Sequence, residues 1–237
     1  MASISEKSFG QRYTKGRELV EYLKALTTYS PGNPLIEAAS METLLDSILT
    51  ANSNVSAKLS TLQTERDERL EMYNGIEGLI NQSGQIRDYI ASIDAKGKKS
   101  LDYKKVQSAV KRMRGKRLTK KPVASEEGGE APKTVSTSEV SFGSVLSTAF
   151  EILEVIKGNA AYAPSNTNLT VANFTTFLNS IDAKNKLIAQ RRTEYDNATE
   201  SRMNLYNDLQ DRVTKVRLAL ASQYGKTSNE YKDSVQF

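Results

Sequence analysis

Cysteine and histidine are both absent from this chain of 237 residues. Their absence excludes a disulfide framework, a thiolate nucleophile, a histidine general base and a zinc or iron site built from Cys and His side chains. The sequence also lacks a Walker phosphate loop, a Gly-x-Ser-x-Gly nucleophile motif and a paired-glutamate di-iron motif. We therefore expect no catalytic residue, cofactor, metal ion or small-molecule substrate, and we predict a non-enzymatic protein.

Long apolar segments are also missing. No run approaches the roughly 18 apolar residues that suggest a membrane-spanning helix. The segment from Met1 to Arg17 has no apolar core of signal-peptide length. These absences predict a cytoplasmic protein without a membrane partner.

The content of hydrophobic residues is 38% and that of aromatic residues 7%, both low for a thick globular core. Charged residues make up 26% of the chain. This balance favours a helical bundle in which each helix buries one stripe and leaves its other faces in water.

What the sequence does contain is an internal repeat with a period of about 133 residues. Four motifs occur twice: a Ser-Phe-Gly start, a Tyr-x-Pro-x-Asn turn, an Arg-x-x-x-Tyr-Asn stretch and a Gly-Lys-x-Ser-x-x-Tyr-Lys end, which begin at Ser8 and Ser141, Tyr29 and Tyr162, Arg69 and Arg202, and Gly97 and Gly225. Such duplication indicates two pseudo-equivalent structural modules. We assign helical repeats to residues 1–114 and 138–237. Residues 115–137, which are rich in Gly, Pro, Ser and Glu, are predicted to form a flexible linker.

The strongest periodic signal is an apolar stripe with alternating steps of four and three residues. It runs from Met41 to Ile80 in the first repeat and from Phe174 to Val216 in the second. This spacing predicts one long helix in each repeat with coiled-coil packing. About 50 residues of helix would measure about 75 Å, so we expect an elongated molecule.

Shorter helices are predicted on both sides of each long helix. Gly97 and Gly225 are expected to end a helix, and Ser100 and Ser228 to cap the next one. The predicted fold is therefore all-α: an elongated bundle of two tandem repeats, each with the order short helix, long helix, short helix.

Polar and aromatic residues at matched positions are the candidate contact residues. Asn52 and Asn185 lie on the apolar stripe, where a polar side chain commonly fixes helix register; a ligand contact is the alternative. For Arg69 and Arg202, with Arg66 and Arg192 nearby on the stripe, we favour a subunit contact or pairing with a glutamate over anion binding; the candidate partners are Glu65, Glu68, Glu194 and Glu200. Tyrosines at matched positions suit core or interface packing. The candidate protein–protein interface comprises Arg69, Tyr73, Arg202, Tyr206, Tyr29 and Tyr162.

The net charge of +5 and the pI near 9.2 arise from one local segment. Nine cations and no acid lie between Lys104 and Lys121. Such a run could neutralise phosphates in a salt-sensitive manner, although the sequence shows no helix-turn-helix, RNA-recognition or zinc-finger pattern. A solvated face or a contact with an acidic protein segment is the other explanation. The candidate phosphate-binding residues are Lys111, Arg112, Arg114, Lys116 and Arg117.

Taken together, the four repeated motifs resemble those of uncharacterised two-repeat, all-helical proteins of Bacteroidetes-type bacteria. The resemblance spans nearly the whole chain and rests on structural motifs. It implies a helical fold and a bacterial origin, and it assigns no activity and no site.

Three functions agree with these observations. The leading hypothesis is a structural or scaffolding protein that self-associates through helical surfaces into a homo-oligomer or polymer, such as a filament, tube or lattice. The second is a nucleic-acid-associated protein that binds the phosphate backbone through residues 104–121. The third is a monomeric helical adaptor for a protein partner.

Overall fold

The computed structural model describes residues 4–115 and 141–237, and this part of the chain is all-α, with no strand. This confirms the predicted fold class. The α-helices are α1 (Ile4–Ala25), α2 (Ala38–Asn74), α3 (Leu79–Ile93), α4 (Leu101–Met113), α5 (Phe142–Lys157), α6 (Val171–Tyr224) and α7 (Asn229–Ser234), and short 3₁₀ helices lie at Pro34–Ile36, Gly97–Lys99 and Thr167–Leu169.

The chain divides into two compact units. Unit 1 combines Met1–Leu62 with Gln190–Phe237, and unit 2 is Gln63–Ala189. Helices α2 and α6 therefore contribute residues to both units, and each unit contains parts of both sequence repeats. The boundaries of the two units therefore differ from those of the two predicted repeats, 1–114 and 138–237. Except for Gly115, the segment predicted as a linker lies outside the described residues.

The core of unit 1 is formed by α1, the first part of α2 and the last part of α6. Gly16 lies where α1 approaches its neighbours: a Cβ atom there would be 2.9 Å from a methyl group of Leu45 and 3.3 Å from one of Leu209. A glycine therefore allows this close packing. The buried side chains of this core include Leu19, Val20, Met41, Leu45, Ile48, Leu209, Val216 and Leu220.

The core of unit 2 is formed by α3, α4, α5 and the first part of α6. Helix α4 packs against both α3 and α5. All three helices carry apolar residues on one face, as the predicted amphipathic pattern requires. The buried side chains of this core include Ile86, Ile90, Val106, Ala149, Ile152 and Phe174.

The predicted helix end at Gly225 is confirmed, since α6 ends at Tyr224. The end expected at Gly97 lies earlier, because α3 ends at Ile93 and Gly97 is the first residue of a 3₁₀ helix. Both glycines have positive φ, 52° and 85°, a region that disfavours side chains with a Cβ atom. The hydroxyl of Ser100 accepts a hydrogen bond from the backbone N–H of Tyr103 at the start of α4. The hydroxyl of Ser228 caps α7 in the same way.

The predicted continuous helix through Ile80 is wrong. Helix α2 ends at Asn74, and a turn follows before α3 begins at Leu79. The turn contains Gly75 and Gly78, whose counterparts in the second repeat are Asp208 and Asp211 within the unbroken helix α6. Glycine costs about 1 kcal/mol relative to alanine inside a helix, so two glycines within four residues favour a break.

Candidate functional site

In unit 1 the side chains of Phe9, Asn52, Arg202 and Tyr206 form one cluster. The ring centroids of Phe9 and Tyr206 are 4.6 Å apart, and the guanidinium carbon of Arg202 lies 4.7 Å from the centroid of the Phe9 ring. The Asn52 amide donates a hydrogen bond of 3.0 Å to the hydroxyl of the buried Tyr206. The cluster combines aromatic packing, a cation–π contact and a polar link between α2 and α6.

Unit 2 contains the corresponding cluster, formed by Arg69, Tyr73, Phe142 and Asn185. The rings of Tyr73 and Phe142 are 4.8 Å apart, and the Arg69 guanidinium carbon lies 3.9 Å from the Phe142 centroid. The Asn185 amide donates to the Tyr73 hydroxyl at 3.0 Å, and this hydroxyl donates to the Phe142 carbonyl at 2.7 Å. Burial raises the pKa of Tyr73 and lowers that of Arg69.

The two clusters have the same four residue types at positions 133 residues apart. Each cluster takes two residues from each repeat, so these contacts connect the repeats to one another. Tyr73 and Tyr206 are 2% and 0% exposed, and their observed contacts lie within the chain. An intermolecular role for these residues, and a register-setting role for Asn52 and Asn185, stay predictions.

Within the described residues, Arg69 does not pair with Glu65 or Glu68, and a subunit contact of Arg69 stays a prediction. The carboxylates of Glu65 and Glu68 instead accept hydrogen bonds from the ammonium group of Lys184, at 2.6 Å and 2.5 Å. The guanidinium group of Arg69 stacks on Phe142, and its Nε atom is buried without a hydrogen-bond partner among the described residues. A planar cation can lie over an aromatic face in this way.

The two Tyr-Pro turns place their tyrosines alike. The hydroxyl of Tyr29 donates to the carbonyl of Ile36 at 3.0 Å, and that of Tyr162 donates to the carbonyl of Leu169 at 2.8 Å. Burial raises the pKa of Tyr29 to about 12 and also raises that of Tyr162. Both side chains are half-buried and hold the 3₁₀ helix that follows their turn.

The basic segment is only partly available to an external ligand. Lys111 and Arg112 are half-buried, and Arg112 forms an ion pair with Glu151. Arg114 is exposed. Lys116 and Arg117 lie outside the described residues.

Sequence reasoning missed an acidic, apolar groove in unit 2, which we call the Ile76 groove. Its cavity volume is about 440 Å³, and Ile76 itself is 88% exposed. Residues of α2, the following turn and α6 form its walls. The available signal was the pair of glycines that interrupts the apolar stripe. The groove is lined by Glu68, Glu71, Met72, Ile76, Glu77, Gly78 and Phe177.

A second exposed apolar side chain in unit 2 has mainly lysines as its charged neighbours in sequence, unlike Ile76, whose charged neighbours are glutamates. Leu101, the first residue of α4, is 67% exposed. Four exposed lysines lie within four residues of it in sequence. We call this set the Leu101 patch, which comprises Leu101, Lys98, Lys99, Lys104 and Lys105.

Comparison with protein-family models, with curated proteins and with solved structures finds no match to this chain. None of the described helices has the combined length and apolar character needed to cross a membrane. Within residues 4–115 and 141–237, no three acidic side chains come together as a potential metal site.

Proposed function

We propose that this chain is a non-enzymatic structural protein that self-associates through its helical surfaces into a filament, tube or lattice. The observation that carries the proposal is the exposure of Ile76 and Leu101 at two places in unit 2. Fully burying one such side chain contributes about 1.5–3 kcal/mol, so both places gain stability when another protein surface covers them.

Single exposed leucines are ordinary on protein surfaces, but Ile76 differs from them. It lies in a groove whose walls also include the partly buried apolar side chains of Met72 and Phe177. Contiguous apolar surface with a charged rim is typical of an interaction site. The Ile76 groove and the exposed Leu101 differ in chemistry, so a chain can contact one copy at each place, and such head-to-tail contacts extend an assembly unless the rotation between copies closes a ring.

The tandem-repeat, coiled-coil architecture expected from the sequence is part of this proposal. The matched clusters around Tyr73 and Tyr206 support it, because equivalent residues of the two repeats make equivalent contacts. In this proposal the clusters hold the repeats together, and the remaining exposed apolar surface is available for other copies.

Multi-angle light scattering of the purified chain, from micromolar to submillimolar concentration, tests this function. We expect a mass that rises with concentration above the monomer value of 26.2 kDa, and negative-stain images that show open assemblies. A monomer at every concentration would overturn the proposal and favour the adaptor hypothesis. A mass that stays at twice the monomer value would overturn an open assembly.

The exposure of Lys104, Lys105 and Arg114 favours phosphate-backbone binding as a second candidate function. Binding to mixed-sequence DNA and RNA at low and moderate salt tests it. Tight, salt-sensitive binding that disappears when the five candidate residues become glutamine would replace our first proposal. The required substitutions are Lys111→Gln, Arg112→Gln, Arg114→Gln, Lys116→Gln and Arg117→Gln.

A further inference from the structure

We propose that the Leu101 patch of one copy docks into the Ile76 groove of a second copy. This inference rests on the proposed self-association and names the two surfaces that carry it. Each surface has one strongly exposed apolar side chain at its centre, 88% exposed for Ile76 and 67% for Leu101. Docking would remove both side chains from water.

Charge complementarity identifies the occupant of the groove. The carboxylates of Glu71 and Glu77 form no ion pair with any other residue that the structure describes. The same holds, within the described part of the chain, for the four lysines that lie near Leu101 in sequence. A surface with free anions and a surface with free cations therefore occur on the same chain. Opposite charges around an apolar contact select the partner and its orientation.

The second repeat lacks the groove and the apolar centre of the patch. The positions equivalent to Glu71 and Glu77 are Asn204 and Gln210, and Leu209, the equivalent of Ile76, is 2% exposed. The position equivalent to Leu101 is Asn229, and Lys105 corresponds to Asp233. At the groove the apolar centre and the charges change together, as expected if they form one binding site. At the patch the apolar centre changes together with Lys99 and Lys105, whereas Lys98 and Lys104 have Lys226 and Lys232 as their counterparts.

The positions of the two surfaces predict the symmetry of the assembly. The Ile76 groove lies before the first residue of α3, and the Leu101 patch comes after its last residue, so the 15 residues of α3 separate them. A helix of this length measures about 22 Å. Because the two contacting surfaces differ and lie at opposite ends of α3, the contact is heterologous, and its repetition generates an open chain of copies unless the rotation between copies closes a ring.

Charge reversal on each surface provides the test. The groove variant carries Glu71→Lys and Glu77→Lys, and the patch variant carries Lys104→Glu and Lys105→Glu. All four positions are exposed, so circular dichroism should show an unchanged helix content. Light scattering should give the monomer mass of 26.2 kDa for each variant alone, under conditions in which the wild type is larger.

An equimolar mixture of the two variants should assemble again. The positive groove of one variant then faces the negative patch of the other, and the reverse pair is equally complementary. Matched controls in the second repeat, Asn204→Lys and Lys232→Glu, change charge at exposed equivalent positions and should leave the mass of the wild-type assembly unchanged.

The outcomes separate this inference from the function on which it rests. A monomeric wild type would overturn the proposed function itself. A wild type that assembles, with variants of the same assembled mass or with a mixture that stays monomeric, would overturn only the docking of patch and groove. An unchanged assembled mass in the patch variant, together with loss of DNA binding, would also overturn the docking and assign these lysines to phosphate.

Discussion

Units 1 and 2 use the same four residue types for their helix contacts but differ in the chain beyond the tyrosine. In both units an asparagine on one long helix bonds to the hydroxyl of a buried tyrosine on the other. Beyond Tyr206 the helix continues, and Asp208 pairs with Arg212 one turn later. Beyond Tyr73 the helix ends, and Ile76 becomes exposed. The cluster therefore does not determine whether the helix continues; the glycines or aspartates after it do.

A second difference concerns the tyrosine hydroxyls. The Tyr73 hydroxyl accepts from Asn185 and donates to the carbonyl of Phe142. Among the described residues, the Tyr206 hydroxyl has the amide of Asn52 as its partner. The unit in which the long helix is interrupted thus has the additional hydrogen bond at its cluster. Substitutions at equivalent positions can measure what each difference contributes to stability.

The largest expected effect is the loss of either buried ring. Tyr73→Ala and Tyr206→Ala should each lower the free energy of unfolding by about 3–5 kcal/mol, because each removes a buried aromatic side chain and leaves a cavity. Urea denaturation followed by circular dichroism measures the change.

The matched controls are Leu70→Ala and Met203→Ala, three residues before each tyrosine. These side chains are 50% and 42% exposed, so their removal should cost much less. A tyrosine variant as stable as its control would show that its cluster does not hold the unit together.

The second prediction concerns the turn after α2. A Cβ atom on Gly78 would lie 2.7 Å from the backbone nitrogen of Gly75 and 2.9 Å from its carbonyl oxygen. Backbone atoms cannot move aside as a flexible side chain can, so Gly78→Ala should lower the free energy of unfolding by about 1–3 kcal/mol. Urea denaturation at neutral pH gives the value.

Asp211→Ala is the equivalent change in the second repeat. Asp211 is exposed within α6, where alanine is the better helix former, so this substitution should be neutral or stabilising by a few tenths of a kcal/mol. Equal effects of the two substitutions would contradict the view that the glycines determine the difference between the repeats.

The sequence predicted local features better than it predicted contacts. The all-α class, the end of α6 before Gly225 and the caps at Ser100 and Ser228 depend on backbone preferences of nearby residues, and all are observed. The end expected at Gly97 lies four residues earlier, at Ile93. The period of 133 residues also matched Tyr73 with Tyr206. The period did not predict the hydrogen-bond partners of these tyrosines, because the asparagine that bonds to each tyrosine belongs to the other repeat.

The apolar stripe also gave a wrong prediction for Ile76, which lies outside the helix and is exposed, and the reason is related. Periodicity treats this isoleucine like any other stripe position, although the glycines on both sides lower the helix preference of its segment. The Ile76 groove was missed because it exists only when the helix ends. Lys184 was likewise missed as the partner of Glu65, since that contact joins α2 to α6 across a large separation in sequence.

The third prediction measures the additional hydrogen bond of unit 2. Tyr73→Phe removes the donor to the Phe142 carbonyl and the acceptor for Asn185, whereas Tyr206→Phe removes the acceptor for Asn52. A hydrogen bond contributes about 0.5–1.5 kcal/mol, and a buried group left without a partner costs about 1–3 kcal/mol.

We therefore expect Tyr73→Phe to be more destabilising than Tyr206→Phe by roughly 1 kcal/mol. Both phenylalanine variants keep the ring, so each should remain far more stable than the corresponding alanine variant in the same urea experiment. A larger loss for Tyr206→Phe would show that the hydroxyl of unit 1 is the more important of the two.

The smallest effects concern the ion pair of Glu194 with Lys58 in unit 1 and the two ion pairs of Lys184 in unit 2, at opposite ends of the pH range. In unit 1 a hydrogen bond from Lys58 lowers the pKa of Glu194 below 4.5. The contribution of this carboxylate to the free energy of unfolding is present above pH 4.5, and it is lost as the pH falls through the lowered pKa. In unit 2 hydrogen bonds to Glu65 and Glu68 raise the pKa of Lys184 above 10.5. The contribution of the Lys184 ammonium group to the free energy of unfolding is present below pH 10.5, and it is lost as the pH rises through the raised pKa.

Glu194→Gln and Lys184→Met, compared with the wild type in urea at several pH values, separate the two contributions. The difference in free energy of unfolding caused by Glu194→Gln should shrink on the acid side of pH 4.5, and that caused by Lys184→Met should shrink on the alkaline side of pH 10.5. Both differences should also become smaller at high salt, because these side chains are partly exposed and salt screens their charges. A difference that stays constant through its own pH window would mean that the carboxylate or the ammonium group contributes through packing instead of through its charge.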